Sequence, residues 1–131
     1  MPARGPRNAH RVAARLLAVA TLVPLLACRE DAADDVTLVE GVVEQIDVLD
    51  NTFRPGEIEV SAGAEVEWTN KGRSDHDVLP VEGDEWGAPA EAFPPDAVYR
   101  RRFTEPGTFA YYCSLHGTTT KGMVGTIVVT G

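Results

Sequence analysis

The chain has 131 residues, room for one domain and a short appendage, and its 20 acidic against 12 basic residues give a formal net charge of −8. The segment before Cys28 holds four arginines and no acid, so the chain from Cys28 onward has a net charge of about −12. A charge of that sign argues against binding to nucleic acid or to anionic lipid head groups. We therefore expect neither of these partners.

The N-terminal region has the pattern of an export signal. Arginines precede an apolar run of twelve residues, 16–27. A membrane-spanning helix needs about 20 apolar residues, so this run is too short to cross a bilayer stably. A basic segment followed by a short apolar one is typical of a secretory signal. We predict that residues 1–27 form a signal peptide and that the chain is exported.

The residues that end this run predict a membrane anchor. The sequence Leu25-Leu26-Ala27-Cys28 resembles a bacterial lipobox, in which the cysteine becomes the lipid-modified first residue. Residues 28–35 are acidic and lack periodicity, as expected of a solvated tether. The domain would then be held through Cys28 at the outer face of the cytoplasmic membrane or in the periplasm. The alternative is ordinary cleavage nearby, with Cys28 removed or left free.

Residues 36–131 consist of short apolar runs separated by turn residues. Two of them, Glu57–Val60 and Ala64–Trp68, alternate apolar with acidic residues, the period of two that a half-buried strand requires. The other runs lie at 36–48, 99–103, 109–112 and 123–129. No stretch has a convincing helical period. The pattern predicts an all-β domain, a Greek-key β-sandwich of seven to eight strands.

One segment of this domain, residues 82–96, is not strand-like. It is acidic and rich in Gly and Pro, so we predict a surface loop. Its aromatic residues Trp86 and Phe93 either tuck the loop against the sandwich, the interpretation that we prefer, or form an exposed docking patch.

Three consecutive arginines, 100–102, follow in a predicted strand. Side chains alternate between the two faces of a strand, so the three do not form one basic patch. Arg101 shares its face with Tyr99 and Phe103, and its position therefore needs an explanation of its own.

Four side chains offer donors that soft or borderline metals prefer. Cys113 and His116 lie at the end of one predicted strand, and Met123 opens the next. Strands joined by a short loop bring the loop ends together, so these three can converge, while His76 lies upstream. One thiolate, two imidazoles and a weak thioether form the ligand set of a blue-copper electron-transfer site. The alternative is a buried inert Cys, a loop His and a core Met, each common alone.

Several motifs of the domain share one family pattern. They are 53–55 with 58–60, Gly63–Asn70, His76, 103–109 and the loop that carries Cys113, His116 and Met123. In these motifs the chain resembles a plastocyanin-like cupredoxin, a small type 1 copper domain, over nearly everything after residue 36. The resemblance implies one copper ion, with His76, Cys113, His116 and Met123 as ligands. It also implies that the chain transfers single electrons between redox partners.

The chain differs from the usual family pattern at two points. Residues 118–121 lengthen the loop between His116 and Met123, which bears on the distance from Met123 to copper. Asp77 follows the first histidine where the family commonly has Asn, which bears on the hydrogen bonding beside the site. Asp77 and Ser114 each adjoin a ligand, and we expect them to orient the ligand loops; ordinary turn polarity is the alternative.

Other functional classes fit the sequence less well. Outside the signal region the histidines are His76 and His116, too few for a further multi-histidine copper centre, and no nucleophile–base pattern or Gly-rich phosphate loop is present. We therefore expect an electron carrier and no enzyme. A copper storage or delivery protein would use the same ligands. A metal-free adhesion module would leave them unexplained.

The expected partners are redox proteins. The resemblance implies that the second histidine lies near the surface, so we expect partners to dock over His116. The negative charge of the chain should select a partner with a basic face, and we expect Glu82, Asp84 and Glu85 to contribute to this attraction. We expect a monomer that contacts the membrane only through the lipid at Cys28.

Overall fold

The computed structural model describes residues 36–131, in which eight β-strands and one short 3₁₀ turn form a sandwich. The strands are β1 (Val43–Leu49), β2 (Thr52–Arg54), β3 (Glu57–Ser61), β4 (Glu65–Asn70), β5 (Leu79–Pro80), β6 (Val98–Arg102), β7 (Gly107–Gly117) and β8 (Gly122–Thr130). The 3₁₀ turn spans Ala90–Ala92. Within this part of the chain no helix has the length and apolar character to cross a bilayer.

The strands form two four-stranded sheets, in the orders β2-β1-β4-β6 and β3-β8-β7-β5. Each sheet contains one parallel pair, β1 with β4 and β3 with β8, and its other pairs are antiparallel. The prediction of an all-β sandwich is confirmed, and the number of strands is eight, the upper end of the predicted range. The predicted signal peptide, 1–27, and the tether, 28–35, lie outside the described residues.

The alternating pattern of β4 explains how the core forms. Val66 and Trp68 are fully buried, whereas Glu65 and Glu67 lie on the other face of the strand. The acids pair there with arginines of β6: Arg100 contacts both carboxylates, and Arg102 lies 3.7 Å from Glu65. The first predicted strand is shorter than expected, because the ladder begins at Val43 and not at residue 36.

The 82–96 segment packs against the sandwich through its aromatic residues. Phe93 is fully buried, and the Trp86 ring lies 5.4 Å from the Phe103 ring and 6.0 Å from the Trp68 ring. The backbone N–H of Gly87 donates to the Tyr99 hydroxyl at 2.8 Å. The tucked arrangement is therefore the one that the structure shows.

Arg101 has a structural role in this packing. Its guanidinium carbon lies 5.8 Å from the centre of the Phe103 ring, and its Nη1 donates to the backbone oxygen of Glu85 at 3.3 Å. The stem of an arginine can cover apolar surface while its head group bonds elsewhere. Arg101 therefore ties the loop to β6, which explains a cation on this face of the strand.

Candidate metal centre

The first ligand candidate, His76, lies on a loop between β4 and β5 that is braced from the inside. Asn70, the last residue of β4, is fully buried, and its Nδ2 donates to the backbone oxygens of Ser74 and Phe93, each at 3.0 Å. Its Oδ1 accepts the N–H of Gly72 at 3.0 Å, and the N–H of His76 donates to Phe93 at 3.2 Å. One amide side chain thus fixes the path of the loop.

The same loop is held from the outside by the turn between β1 and β2. Asp50 accepts the backbone N–H of Arg73 at 2.7 Å and the Nε and Nη2 of its guanidinium at 3.0 and 2.9 Å. These bonds lower the pKa of Asp50, and the backbone bond has a larger effect than the side-chain bonds. Lys71 pairs with Asp47 of β1 at 2.7 Å.

The other candidates lie where β7 and β8 meet. Pairing between these strands is regular up to Tyr112, becomes irregular at residues 113–116, and resumes where Gly117 faces Gly122. Residues 118–121 form an exposed turn closed by a bond from the Thr118 N–H to the Lys121 oxygen at 2.8 Å. The irregular stretch frees Cys113 and His116 from the ladder.

The ends of this loop face each other across the strand pair. A Cβ on Gly122 would lie 2.9 Å from the Cα of Gly117, as expected for residues that are directly opposed in an antiparallel pair. A Cβ on Gly117 would in turn lie 2.6 Å from the backbone N of Met123. Residues 118–121 therefore form a turn outside a closed strand pair, and Met123 lies fully buried at the start of β8.

The structure brings three of the predicted donors together. The Sγ of Cys113 lies 3.6 Å from the Nδ1 of His76 and 3.6 Å from the Nδ1 of His116. Their donor atoms all lie within 4.8 Å of one another, and the two imidazole rings are 4.7 Å apart. Two ligands of an ion with bonds of about 2.0–2.3 Å have this spacing when the angle between them is wide. The donor set and its spacing therefore fit a copper ion; the ligand role of Met123 stays a prediction.

One carboxylate links the two ligand loops. Asp77, only 4% exposed, accepts the N–H of Ser114 at 2.6 Å through Oδ1 and the hydroxyl of Ser114 at 2.5 Å through Oδ2. A buried carboxylate is stable only when it is bonded in this way. The two residues that the sequence placed beside the ligands thus bind each other, and they join the His76 loop to the Cys113 strand.

Burial shifts the pKa values of two of the clustered donors when no metal is bound. It raises the pKa of the Cys113 thiol, an effect that the backbone amides of Asp77 and Leu115 oppose. Burial also lowers the pKa of His76 below its usual 6.5, with a second contribution from the neighbouring His116. A neutral imidazole is the form that binds a metal, so the fold keeps His76 ready for that role.

Exposure distinguishes the two histidines. His76 is fully buried, whereas His116 is half-buried. Next to His116, Leu115 is 53% exposed, and Val124 on the neighbouring strand is 38% exposed. Of the three clustered donors, His116 is therefore the one nearest to solvent.

Sequence reasoning missed the residues that brace the His76 loop. The sequence pattern assigned no role beside the metal centre to Asn70, Gly72 or Asp50. A signal was present, because Asn70 ends a strand whose alternation places its side chain inside, and a buried amide needs partners. The link from Asp50 to Arg73 gave no local signal, since 22 residues separate them.

Comparison with known proteins agrees with this geometry. Residues 41–130 match the family described as copper binding proteins of the plastocyanin/azurin family. A purple cupredoxin from Nitrosopumilus maritimus has a similar fold, with a TM-score of 0.58 and 22% identity over 66% of this chain and 99% of that one. A reduced-state mutant of amicyanin has a TM-score of 0.57 and 28% identity over 69% of this chain and 83% of the other.

An enzyme also shares the fold. A copper-containing nitrite reductase from Thermus scotoductus has a TM-score of 0.59 and 28% identity, with 71% of this chain matching 23% of the enzyme chain. The likeness thus covers a fraction of that protein. The family match extends over most of this chain and includes the Cys113, His116 and His76 cluster, and the chain belongs to the plastocyanin/azurin family of copper-binding proteins as a plastocyanin-like cupredoxin.

Proposed function

We propose that this chain is a type 1 copper protein that carries single electrons between redox partners outside the cytoplasm. The observation that carries the proposal is the position of the Cys113 Sγ, 3.6 Å from the Nδ1 of both His76 and His116. Bound copper supplies a one-electron cycle between Cu(I) and Cu(II), and thiolate, imidazole and weak thioether donors together suit both states. Met123 would supply the weak thioether donor in this proposal.

The protein contributes a site that changes little between the two states. Cys113, His76 and Met123 are fully buried, so water has little access to their side of the site. The Asp77–Ser114 link and the Asn70 brace hold both ligand loops in place. Every rearrangement of ligands would add to the barrier for electron transfer, and a fixed site avoids that cost.

The direct test is the visible spectrum of the Cu(II)-loaded protein. We expect an intense absorption from charge transfer between the Cys113 thiolate and copper, and its loss in Cys113→Ser. A colourless Cu(II) complex, or a coloured Cys113→Ser variant, would refute the proposal.

Copper delivery is the competing function, because it would use the same ligands. Reversible reduction and oxidation without loss of copper supports electron transfer. Rapid passage of Cu(I) to an acceptor protein or chelator supports delivery instead.

The chain acts as a carrier and not as an enzyme in this proposal. The described residues contain two histidines, and both belong to the one donor cluster. A reductase activity like that of the matched enzyme would need a further metal centre, or a substrate site on the first. Assay of the copper-loaded protein with nitrite tests this point, and turnover would contradict the carrier role.

Electrons enter and leave through His116 in this proposal, and partners dock over it. His116 is the half-exposed donor, with the exposed Leu115 beside it. Asp84 and Glu85 line a shallow depression that Tyr112 of β7 also borders, and their charge is what suggests a part in docking. A basic partner face would complement them, and Glu82 would add to the charge.

Ionic strength separates charge-steered docking from purely apolar docking. Electrostatic steering raises association rates by roughly 10–10³-fold at low salt and fades as the Debye length shrinks. We expect the second-order rate with a basic redox partner to fall steeply as salt is added. A rate that does not change with ionic strength would still allow electron transfer through His116, but it would show that the acidic residues do not contribute to docking.

Membrane attachment rests on Cys28 in this proposal. We expect Cys28→Ala to release the protein from membranes or to block its maturation. Unchanged membrane association of that variant would refute lipidation.

A further inference from the structure

The second ring nitrogen of His76, Nε2, lies outside the donor cluster. The Nδ1 of this residue faces the Cys113 Sγ, so Nε2 points away from the metal position. Nε2 is buried, and it has no hydrogen-bond partner within residues 36–131. When Nδ1 of a neutral imidazole binds a metal, Nε2 carries the proton and donates to a carboxylate, a carbonyl or water in nearly all known sites.

Two acceptor oxygens face this nitrogen across Gly72. The point where a Cβ on Gly72 would lie is 2.9 Å from the Nε2 of His76, 2.9 Å from the Oδ1 of Asp50 and 3.2 Å from the Oδ1 of Asn70. Three polar atoms therefore surround a space that is too tight for a methyl group. The φ of Gly72 is not in the left-handed region, so close packing, and not backbone conformation, requires glycine here.

Both oxygens are held in place by other bonds. Asp50 is fixed by the backbone N–H and the guanidinium of Arg73, and Asn70 is fixed by the N–H of Gly72 and by its own donors. Asp50 also differs from Asn70 in carrying a negative charge, which Arg73 offsets in part, on the same side of Gly72 as the imidazole nitrogen. That charge favours a proton on the nitrogen that faces it.

We propose that Asp50 is a positioning residue for His76, whose carboxylate, with the Asn70 oxygen, keeps the imidazole proton on Nε2 through the space over Gly72. The free lone pair of Nδ1 then points at Cys113 before any metal arrives. This proposal rests on the proposed function, because it takes His76 to be a metal ligand. Asp50 would orient that ligand by fixing the position of its proton.

Asp47 provides a matched control. Asp47 and Asp50 have equally exposed side chains, 37% each, and each pairs with one cation of the His76 loop, Lys71 and Arg73 respectively. Of the two carboxylates, it is Asp50 that lies beside Gly72 and the Nε2 of His76. If the loss of an ion pair of the loop has a general effect, that effect would therefore appear in both Asp47→Ala and Asp50→Ala. A specific effect on His76 would appear in Asp50→Ala alone.

The experiment measures the imidazole ¹⁵N shifts of His76 in the copper-free protein at about pH 8, where the ring is neutral. We expect the Nε2–H tautomer in the unmodified protein and a mixture with the Nδ1–H tautomer in Asp50→Ala. Asp47→Ala and Arg73→Ala should keep the single tautomer, because both retain the Asp50 carboxylate. Zinc affinity, measured by competition with a chelator, should fall roughly 10–100-fold in Asp50→Ala alone.

An unchanged tautomer in Asp50→Ala would overturn the proposal. An equal change in Arg73→Ala would also overturn it, since Asp50 would then act only by anchoring the loop. If Asp50→Ala does not fold, Asp50→Asn keeps the side-chain volume without the charge and should give a partial shift toward Nδ1–H; no shift there counts against the proposal. The tautomer measurement uses no metal, so absence of the blue-copper spectrum would refute the proposed function separately.

Discussion

The two loops that supply the donors are built in opposite ways. The loop of His76 is held by buried or charged groups from elsewhere in the fold, namely Asn70, the Phe93 oxygen and Asp50. The segment from Cys113 to Met123 closes on itself through Gly117 and Gly122, and its turn, residues 118–121, is exposed. The body of the protein therefore fixes the first loop, whereas the second is fixed mainly by local backbone contacts and joined to the first by the Asp77–Ser114 link.

This difference implies different sensitivities to substitution. A change in the brace of the His76 loop leaves buried polar groups without partners, which is costly. A change in the exposed turn alters groups that water can satisfy. The four predictions below test this contrast, beginning with the largest expected effect.

Asn70→Ala should lower the free energy of unfolding of the copper-free protein by about 2–4 kcal/mol, because it removes three hydrogen bonds and leaves buried backbone groups unpaired. Thr119→Ala, in the exposed turn, should stay within about 0.5 kcal/mol of the unmodified protein. Denaturant unfolding gives both values. Equal losses in the two variants would show that the loops do not differ as described.

Acid should destabilise the copper-free protein through His76. Its pKa in the folded state is lowered by burial, so below the usual value of 6.5 the unfolded chain takes up a proton more readily than the folded one. The free energy of unfolding should therefore fall as the pH drops below that value, by up to about 1.4 kcal/mol per pH unit for this one group.

His76→Gln is the control for this pH effect, and its unfolding free energy should fall less steeply over the same range. Denaturant unfolding at several pH values measures the slope. An identical slope in the variant would assign the acid sensitivity to other groups.

Met123→Leu tests the far end of the Cys113–Met123 segment. The two side chains have similar volume, so the free energy of unfolding of the copper-free protein should change by less than about 1.5 kcal/mol. Copper should be retained, and the reduction potential should rise, because loss of the thioether favours Cu(I). An unchanged potential in a redox titration would mean that Met123 is not the axial ligand.

Deletion of Thr119 and Thr120, which leaves a two-residue turn between the paired Gly117 and Gly122, should have the smallest effect. Two residues are the common length of the tightest hairpin connections, so the strand pair can close without moving its end. We expect the copper-loaded variant to keep its visible spectrum and the copper-free variant to keep its unfolding free energy within about 1 kcal/mol. Loss of the charge-transfer absorption would show that the turn does shape the site.

Sequence patterns predicted the sandwich and the donor cluster because both depend on local signals. Alternation in β4 identifies its inner residues, and the spacing of Cys113 and His116 at a strand end identifies the donors. The path of the 118–121 turn could not be predicted, because the spacing of residues along the chain does not show that Gly117 and Gly122 face each other across the hairpin. The bonds from Asp50 to Arg73 were equally hidden, because they join two turns that only the sheet pairing brings together.

The order of strands in the second sheet bears on when this centre can form. Among residues 36–131, β8 follows every other strand, yet it lies inside its sheet between β3 and β7, and Glu57 of β3 pairs with Thr126 of β8. Until β8 emerges, β3 has no neighbour in that sheet, and the segment after Cys113 has no strand to return along. Such distant pairing slows folding. Assembly of the donor cluster is thus a late event in the life of the chain, because the segment that carries Cys113 and His116 has no strand to pair with until β8 has been made.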